Sequence, residues 1–296
     1  MTSSSKLNTN NKSNSVKSRR TSGPVASAIL AAYNCDKSIV PAISSLLTQT
    51  MEIEIIVVDD GSTDKTSEIL KQFPSLICLN QSHQGPAKAR NLGAAHTNSE
   101  ILLFVDADMT FAPDYVETLI KPILNNEAKG TYSVKELVAN WESPLARCWN
   151  IQEGWADTLR FPPNPPKYGT DYRAILKSEF DRVGGFDNIG YTDTWSLFNK
   201  LGVRPLSTQA VCYHKNPDSM AAVYRQARWA AKRPYKHGYL GFLYALIRTS
   251  LPVSVCIGLY KSIRHQNLHF FFFKIVYDFG RFVGILEMLS TGKLSK

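Results

Sequence analysis

Cysteine is scarce in this sequence and forms no pattern: Cys35, Cys78, Cys148, Cys212 and Cys256 are odd in number, far apart and nowhere make a C-x-x-C pair. That excludes a disulfide framework and a cysteine-based zinc site, and it points to reduced thiols in a cytosolic compartment. No G-x-G-x-x-G follows the first apolar run and no G-x-x-x-x-G-K-[ST] occurs anywhere, so neither a dinucleotide-binding fold nor a P-loop is indicated. The apolar core of a secretory signal is missing as well. Acids are scarce at both ends. Residues 1–22 carry five Lys/Arg and no acid, and residues 236–296 carry eight Lys/Arg against Asp278 and Glu287. The net charge of +9 therefore belongs to the ends, and the middle is close to neutral. A basic stripe on the folded domain, which nucleic acid would need, is absent; an anionic membrane surface is the better candidate partner.

What is present is enough for one good core. With 296 residues, 44% of them hydrophobic and 20% charged, the chain reads as one globular domain with appendages. Residues 1–22 are Ser/Asn/Lys-rich with almost nothing to bury and are expected to be a disordered basic tail. Apolar runs then alternate with segments of helical spacing. Val25–Ala32, Glu54–Val58, Leu76–Leu79 and Ile101–Val105 read as strands. Ser38–Thr50 and Thr66–Phe73 read as helices between them, and Gly85–Ala95 as a loop entering a helix. This order means βαβ units and an α/β fold with a doubly wound, mostly parallel sheet.

Chemistry collects where those strands end. The run Ile101–Val105 stops at Asp106-Ala107-Asp108, and in an α/β sheet the carboxyl ends of strands open onto the ligand crevice. Two hard oxygen ligands there suit Mg²⁺ or Mn²⁺, whose coordination is usually completed by substrate phosphates; an Asp-rich turn is the plainer alternative. Asp60 likewise follows a buried strand and could accept hydrogen bonds from a base or ribose, or cap the next helix, a task open also to Ser62 and Asp64. Gly184-Gly185-Phe186-Asp187 reads as a tight turn and Thr194–Leu201 as a helix, which places Asp193 at a helix N-terminus, as a base or as a cap. His214 is a candidate third metal ligand or a structural histidine. Trp149, Trp155 and Phe161, in the proline-rich stretch before that turn, could stack on an acceptor or simply pack.

Five stretches carry a resemblance: AAYN at 31–34, VVDDGSTD at 57–64, GPAKARNLG at 85–93, LLFVDADM at 102–109 and GGFDNIGYTDTWSLFNKLG at 184–202. In this order they resemble the motifs of the family 2 glycosyltransferases, whose catalytic domain has the GT-A fold, over about Val25 to Trp229. The resemblance implies that Tyr33 and Asp60 hold the nucleotide's base and ribose, with Gly85 and Arg90 lining the nucleotide pocket. It implies that Asp106 touches ribose or metal, that Asp108 binds the divalent ion on the donor's diphosphate, and that Asp193 is the catalytic base. It strengthens His214 as a ligand. Two departures stand out. The family's E-D pair is here Thr192-Asp193, and its Q-x-x-R-W motif appears as Arg225-Gln226-Ala227-Arg228-Trp229, which leaves Arg228 and Trp229 as a cation and an aromatic wall for diphosphate or acceptor and speaks against processivity. The implied reaction is metal-dependent, inverting transfer from a UDP- or GDP-sugar to a glycan or lipid-linked acceptor. The alternatives are transfer to polyprenyl phosphate and a non-catalytic sugar-nucleotide- or glycan-binding chain.

The division expected is a tail at 1–22, a GT-A catalytic domain at 23–235 and a membrane-associating helical segment at 236–296. Tyr239–Tyr260 and Leu268–Leu289 are each about long enough to span a bilayer, yet Arg248 and Pro252 interrupt the first. In the second, Lys274, Asp278 and Arg281 share one helical face, with Phe270–Phe273, Phe282, Ile285 and Leu286 available for the apolar side. Helices lying in the interface at the cytoplasmic face, with Lys274 and Arg281 toward the headgroups, are the favoured expectation over a spanning hairpin or packing against the catalytic domain.

Overall fold

The computed structural model describes residues 23–189, 193–233 and 235–292, and of Asp193 the backbone alone. The expected tail at 1–22 and Thr192 lie outside the described residues. Strands β1 (Ala26–Ala32), β2 (Glu54–Asp59), β3 (Ile77–Asn80) and β4 (Ile101–Asp106) are parallel neighbours in the order β3-β2-β1-β4. The winding reverses between β1 and β4, so their carboxyl ends flank the crevice where α/β sheets bind ligands. Past β4 the sheet continues through β7 (Ala174–Leu176), β6 (Gly130–Val138), β8 (Leu206–His214) and β5 (Met109–Phe111), with β7 antiparallel to both its neighbours and β6 parallel to β8. This is the α/β, mostly parallel, doubly wound architecture that the sequence leads one to expect.

Alternation along the strands sorts side chains onto two faces. Leu30, Val57, Leu103 and Val105 meet α1 (Ile39–Leu47) and α4 (Tyr115–Leu124) through Ile43, Leu46 and Leu119. Ile29, Leu102 and Phe104 face the other way, toward α3 (Pro86–Ala95), α6 (Lys177–Arg182) and α7 (Asp193–Leu201), and bury Phe180, Phe186 and Leu197. The helix expected over Thr66–Phe73 is shorter, ending at Leu70 in α2 (Thr66–Leu70).

The C-terminal third departs from expectation. Its helices α8 (Met220–Ala231), α9 (Gly238–Arg248), α10 (Leu251–Arg264) and α11 (His269–Thr291) pack together with the earlier α5 (Pro144–Glu153). The first apolar stretch breaks at Ser250, whose extended backbone precedes Pro252 in the first turn of α10, and the two halves meet at 61°. Among the described residues no single helix is long and apolar enough to cross a membrane; α9 and α10 together meet that length and composition only as a bent pair. The reading of α11 as an interfacial helix with Lys274 and Arg281 facing headgroups is corrected by the packing. Phe270, Phe273 and Tyr277 are buried against Trp149, Val223 and Ala227, and Lys274 is 2% exposed. Its ammonium lies 2.9 Å from Asp278 Oδ1, while Ser254 Oγ donates to Asp278 Oδ2 at 2.7 Å. The polar face foreseen for the headgroups thus holds an internal ion pair. Two glycines allow this closeness: a Cβ on Gly280 would come within 2.7 Å of the Tyr224 carbonyl oxygen, and one on Gly284 would strike that of Arg228.

Candidate active site

The strand ends deliver their carboxylates as foreseen, and the structure adds the cations that hold them. Asp106, the last residue of β4, accepts from Arg90 of α3 at 2.9 Å on one oxygen and from Arg173 at 3.0 Å on the other. Arg173 is locked in place by its backbone, which bridges β6 and β4: its N–H donates to Thr131 O and its carbonyl accepts from Phe104 N. Burial by itself would raise the Asp106 carboxyl, but the two guanidiniums outweigh it and hold the pKa down to about 2. With both oxygens bound to arginines, Asp106 orients those two cations in this structure.

Asp108 and His214 meet. His214, ending β8, approaches Asp108 Oδ2 at 3.2 Å through Nε2, while its Nδ1 lies 2.9 Å from Glu136 Oε1. A carboxylate behind the imidazole is the outer-shell arrangement that orients metal-binding histidines. Asp108 is half open to the cleft, yet the protein around it desolvates the carboxylate and, with the charge on Asp106 close by, pushes its pKa up to about 6. A cation there would relieve that repulsion. Among the described residues no three His, Cys, Asp or Glu side chains form a ready-made metal cage. An O,N pair completed by substrate phosphates and water suits Mn²⁺ or Mg²⁺, which are seldom held by all-protein cages.

The remaining foreseen residues divide. Tyr33, at the end of β1, stacks on His83 with ring centroids 4.0 Å apart. Asp60 is buried and accepts from the N–H groups of Gln84 and Gly85, both at 2.8 Å, and from Gln81 Nε2 at 2.6 Å; His83 Nδ1 lies 2.9 Å from it. A carboxylate offers about four acceptor positions, so a base or ribose donor would have to displace Gln81 or His83. Asp64, one residue before the Lys65 cap of α2, accepts from Thr66 N at 2.9 Å. Trp229 lines the cleft, but Arg228, one residue round α8, points away and pairs with Glu287 of α11. The cation that α8 presents to the cleft is Arg225. Asp193 opens α7, and Thr194 and Trp195 beside it line the same cleft; the Asp193 side chain lies outside the described residues.

Glu136, Arg160, Arg173 and Asn91 were not singled out by sequence. Arg160 Nη1 donates to Glu136 Oε1 at 2.7 Å, joining His214, Glu136 and Arg160 to the Asp106 cluster through Arg173. The available signal was a lone acid and a lone arginine against apolar runs, SVKELV and DYRAIL. Asn91 clamps the GGFD turn: its Oδ1 accepts from Phe186 N at 2.9 Å and its Nδ2 donates to Phe186 O at 2.8 Å. Gly184 and Gly185 take φ of +75° and +69° there, and a Cβ at Gly185 would lie 2.5 Å from Asn91 Oδ1.

Two cavities meet at these groups. One of about 500 Å³ reaches from the ends of β1 and β2 to Asp106 and Asp108, and one of about 990 Å³ extends past His214 to α7 and α8. Tyr33, Arg90, Asp106, Asp108 and Trp229 line both.

Residues 27–179, just over half of the chain, match the family model described as glycosyl transferase family 2. The uncharacterized glycosyltransferase YibD of Escherichia coli is 32% identical over 222 residues, covering 68% of this chain and 64% of the relative. Across this and three other curated relatives the match spans between 15% and 64% of the relative's own length. Among solved structures, Staphylococcus aureus TarS 1–349 in complex with UDP-GlcNAc is 15% identical at a TM-score of 0.52, covering 92% of this chain and 93% of that one. The Pyrobaculum calidifontis mannosyltransferase PcManGT, in complex with GDP-Man and Mn²⁺, is 20% identical at a TM-score of 0.52, covering 93% and 77%. The sheet and its flanking helices thus have the GT-A form, and the ordered motifs lie at its ligand crevice. The chain belongs to glycosyl transferase family 2.

Proposed function

We propose that this chain is an inverting glycosyltransferase, moving a sugar from a UDP- or GDP-sugar to a hydroxyl of a lipid-linked or membrane-adjacent glycan at the cytoplasmic membrane surface. The observation that carries the reading is the meeting of the two cavities at Asp106, Asp108 and Arg90. The smaller would take the nucleotide beside Tyr33 and the Asp60 loop, and the larger would take the acceptor. Similar folds in complex with UDP-GlcNAc and with GDP-Man and Mn²⁺ support a sugar-nucleotide donor.

Asp193, at the N-terminus of α7 where Thr194 and Trp195 line the larger cavity, would take the acceptor hydroxyl's proton as that oxygen attacks the anomeric carbon. The bond from that carbon to the diphosphate oxygen breaks on the opposite face, and one displacement inverts the centre. Arg90 and Arg173, fixed by Asp106, place positive charge in the cleft. Asp108 and His214 would hold a divalent cation, Mn²⁺ or Mg²⁺, which neutralises diphosphate charge when bound.

The test is consumption of a panel of UDP- and GDP-sugars with Mn²⁺, Mg²⁺ or EDTA, in wild type and Asp193→Asn. One donor should be consumed in a cation-dependent way. Asp193→Asn should lower turnover by about 10²- to 10⁴-fold at nearly unchanged donor affinity. Wild type that neither binds nor consumes any donor overturns the reading, and weakened donor binding in Asp193→Asn reassigns that residue.

A further inference from the structure

A third cavity, of about 860 Å³, lies between the catalytic body and the C-terminal helices. Its wall carries Arg233, Lys236, Arg248, Lys274 and Arg281 against two acids, Glu153 and Asp278. Both acids are engaged within the protein. Asp278 is held by Lys274 and Ser254, and Glu153 accepts from the Tyr277 hydroxyl at 3.1 Å. Arg248 and Arg281 make no ion pair among the described residues; each donates to a phenol, Tyr244 at 3.1 Å and Tyr277 at 3.3 Å. The cavity thus offers excess positive charge whose fork-shaped donors suit phosphate oxygens.

Two further observations say what carries that phosphate. Trp195, on the first turn of α7 beside Asp193, lines both this cavity and the acceptor cleft. On the other side, α9 and α10 expose Tyr239, Leu240, Ile247, Leu251, Tyr260 and Ile263, with Tyr239 76% and Ile263 77% exposed. Exposed apolar side chains beside a basic cavity fit an amphiphile with an anionic head. We propose that this cavity binds the phosphate or diphosphate of a long-chain lipid that bears the acceptor hydroxyl, its hydrocarbon lying on α9 and α10 and its sugar reaching past Trp195 to Asp193. This rests on the glycosyltransferase reading and names its acceptor class. No covalent step occurs in the cavity.

The experiment measures binding of farnesyl diphosphate to the full chain, with inorganic pyrophosphate as the head-only probe, in wild type, Arg248→Gln, Arg248→Gln/Arg281→Gln and Leu240→Ser. Farnesyl diphosphate should bind at least tenfold more tightly than pyrophosphate. Arg248→Gln should weaken it about tenfold, a hydrogen bond to a charged group being at stake, and the double variant further; Leu240→Ser should weaken farnesyl diphosphate alone. Arg248 is exposed at the end of α9, so its variant remains a valid test should the double variant fail to fold. Equal binding of the two probes, indifference to Arg248→Gln, or displacement of farnesyl diphosphate by UDP or GDP each overturns the proposal. Consumption of the sugar-nucleotide is measured in parallel: its persistence in Arg248→Gln while lipid binding proves unaffected sinks this site alone, whereas its absence in wild type sinks the catalytic reading.

Discussion

Asp106 and Asp108 differ by two positions and end in opposite electrostatic states. Two guanidiniums hold the first down to about 2, and desolvation with a neighbouring negative charge pushes the second up to about 6. The sign of each effect can be followed through pH. A depressed carboxyl adds stability that is complete above its unfolded value, near 3.8, and is lost as pH falls through about 2, so Asp106 stays ionised wherever activity is measured. Asp108 is different, because protons compete with any cation at a carboxylate. Apparent Mn²⁺ affinity should be flat above about pH 7 and should fall by about tenfold per unit below 6. Calorimetric Mn²⁺ titrations from pH 5 to 8 would read this, and Asp108→Asn should abolish both the affinity and its pH dependence. A flat profile in wild type would remove Asp108 from the metal site.

Two elements are positioned by single side chains that reach across the fold. Asn91 of α3 ties down the turn that leads into α7, so Asn91→Ala leaves the two backbone groups of Phe186 without their partner. A cost of about 2 kcal/mol is expected from unsatisfied buried groups, together with slower turnover at saturating donor, since the start of α7 carries the proposed base. Denaturant melts and steady-state kinetics measure the two effects; stability loss with unchanged kcat would confine Asn91 to folding. In α11, Lys274→Met leaves Asp278 charged and buried with only Ser254 as partner, which should cost about 3–5 kcal/mol. Lys274→Met/Asp278→Leu should recover much of that, because breaking a buried pair costs more than replacing it. A single variant as stable as wild type would show that the pair is not closed off from water.

At the scale of the molecule, α11 buries Phe270, Phe273 and Tyr277 and leaves Phe272 and Phe279 outside, while α9 and α10 leave Tyr239, Leu240, Leu251 and Ile263 exposed. If the chain sits on a membrane through that surface, Leu240→Ser/Leu251→Ser/Ile263→Ser should lower co-sedimentation with anionic vesicles several-fold without lowering the melting temperature. Equal sedimentation of the variant and wild type would place the contact elsewhere. How much of this was legible in the chain depends on sequence separation. The first four strands and the carboxylates at 60, 106 and 108 were readable, because buried parallel strands are written as continuous apolar runs and turn chemistry follows them. Arg173, 67 residues from Asp106, and the Asn91 clamp on Phe186, 95 residues away, were not; His214, 106 residues from Asp108, was legible as a candidate ligand, but its Glu136 partner was not. Helix faces were readable only as periodicity. The spacing of Lys274, Asp278 and Arg281 marks a polar stripe, but whether such a stripe meets lipid, water or its own counterions depends on what packs over it, and Gly280 and Gly284 admit α8 there. Arg228 and Arg225 show the same limit, since one turn of α8 sends the first to Glu287 and the second to the cleft. The sequence by itself determined the four parallel strands that begin the sheet, the order of the motifs and the chemistry gathered at those strand ends, because each is written in local runs of residues. Tertiary structure alone decided which cation meets which carboxylate and which helical face is covered, because those are contacts between segments that only the folded sheet and its helices bring together.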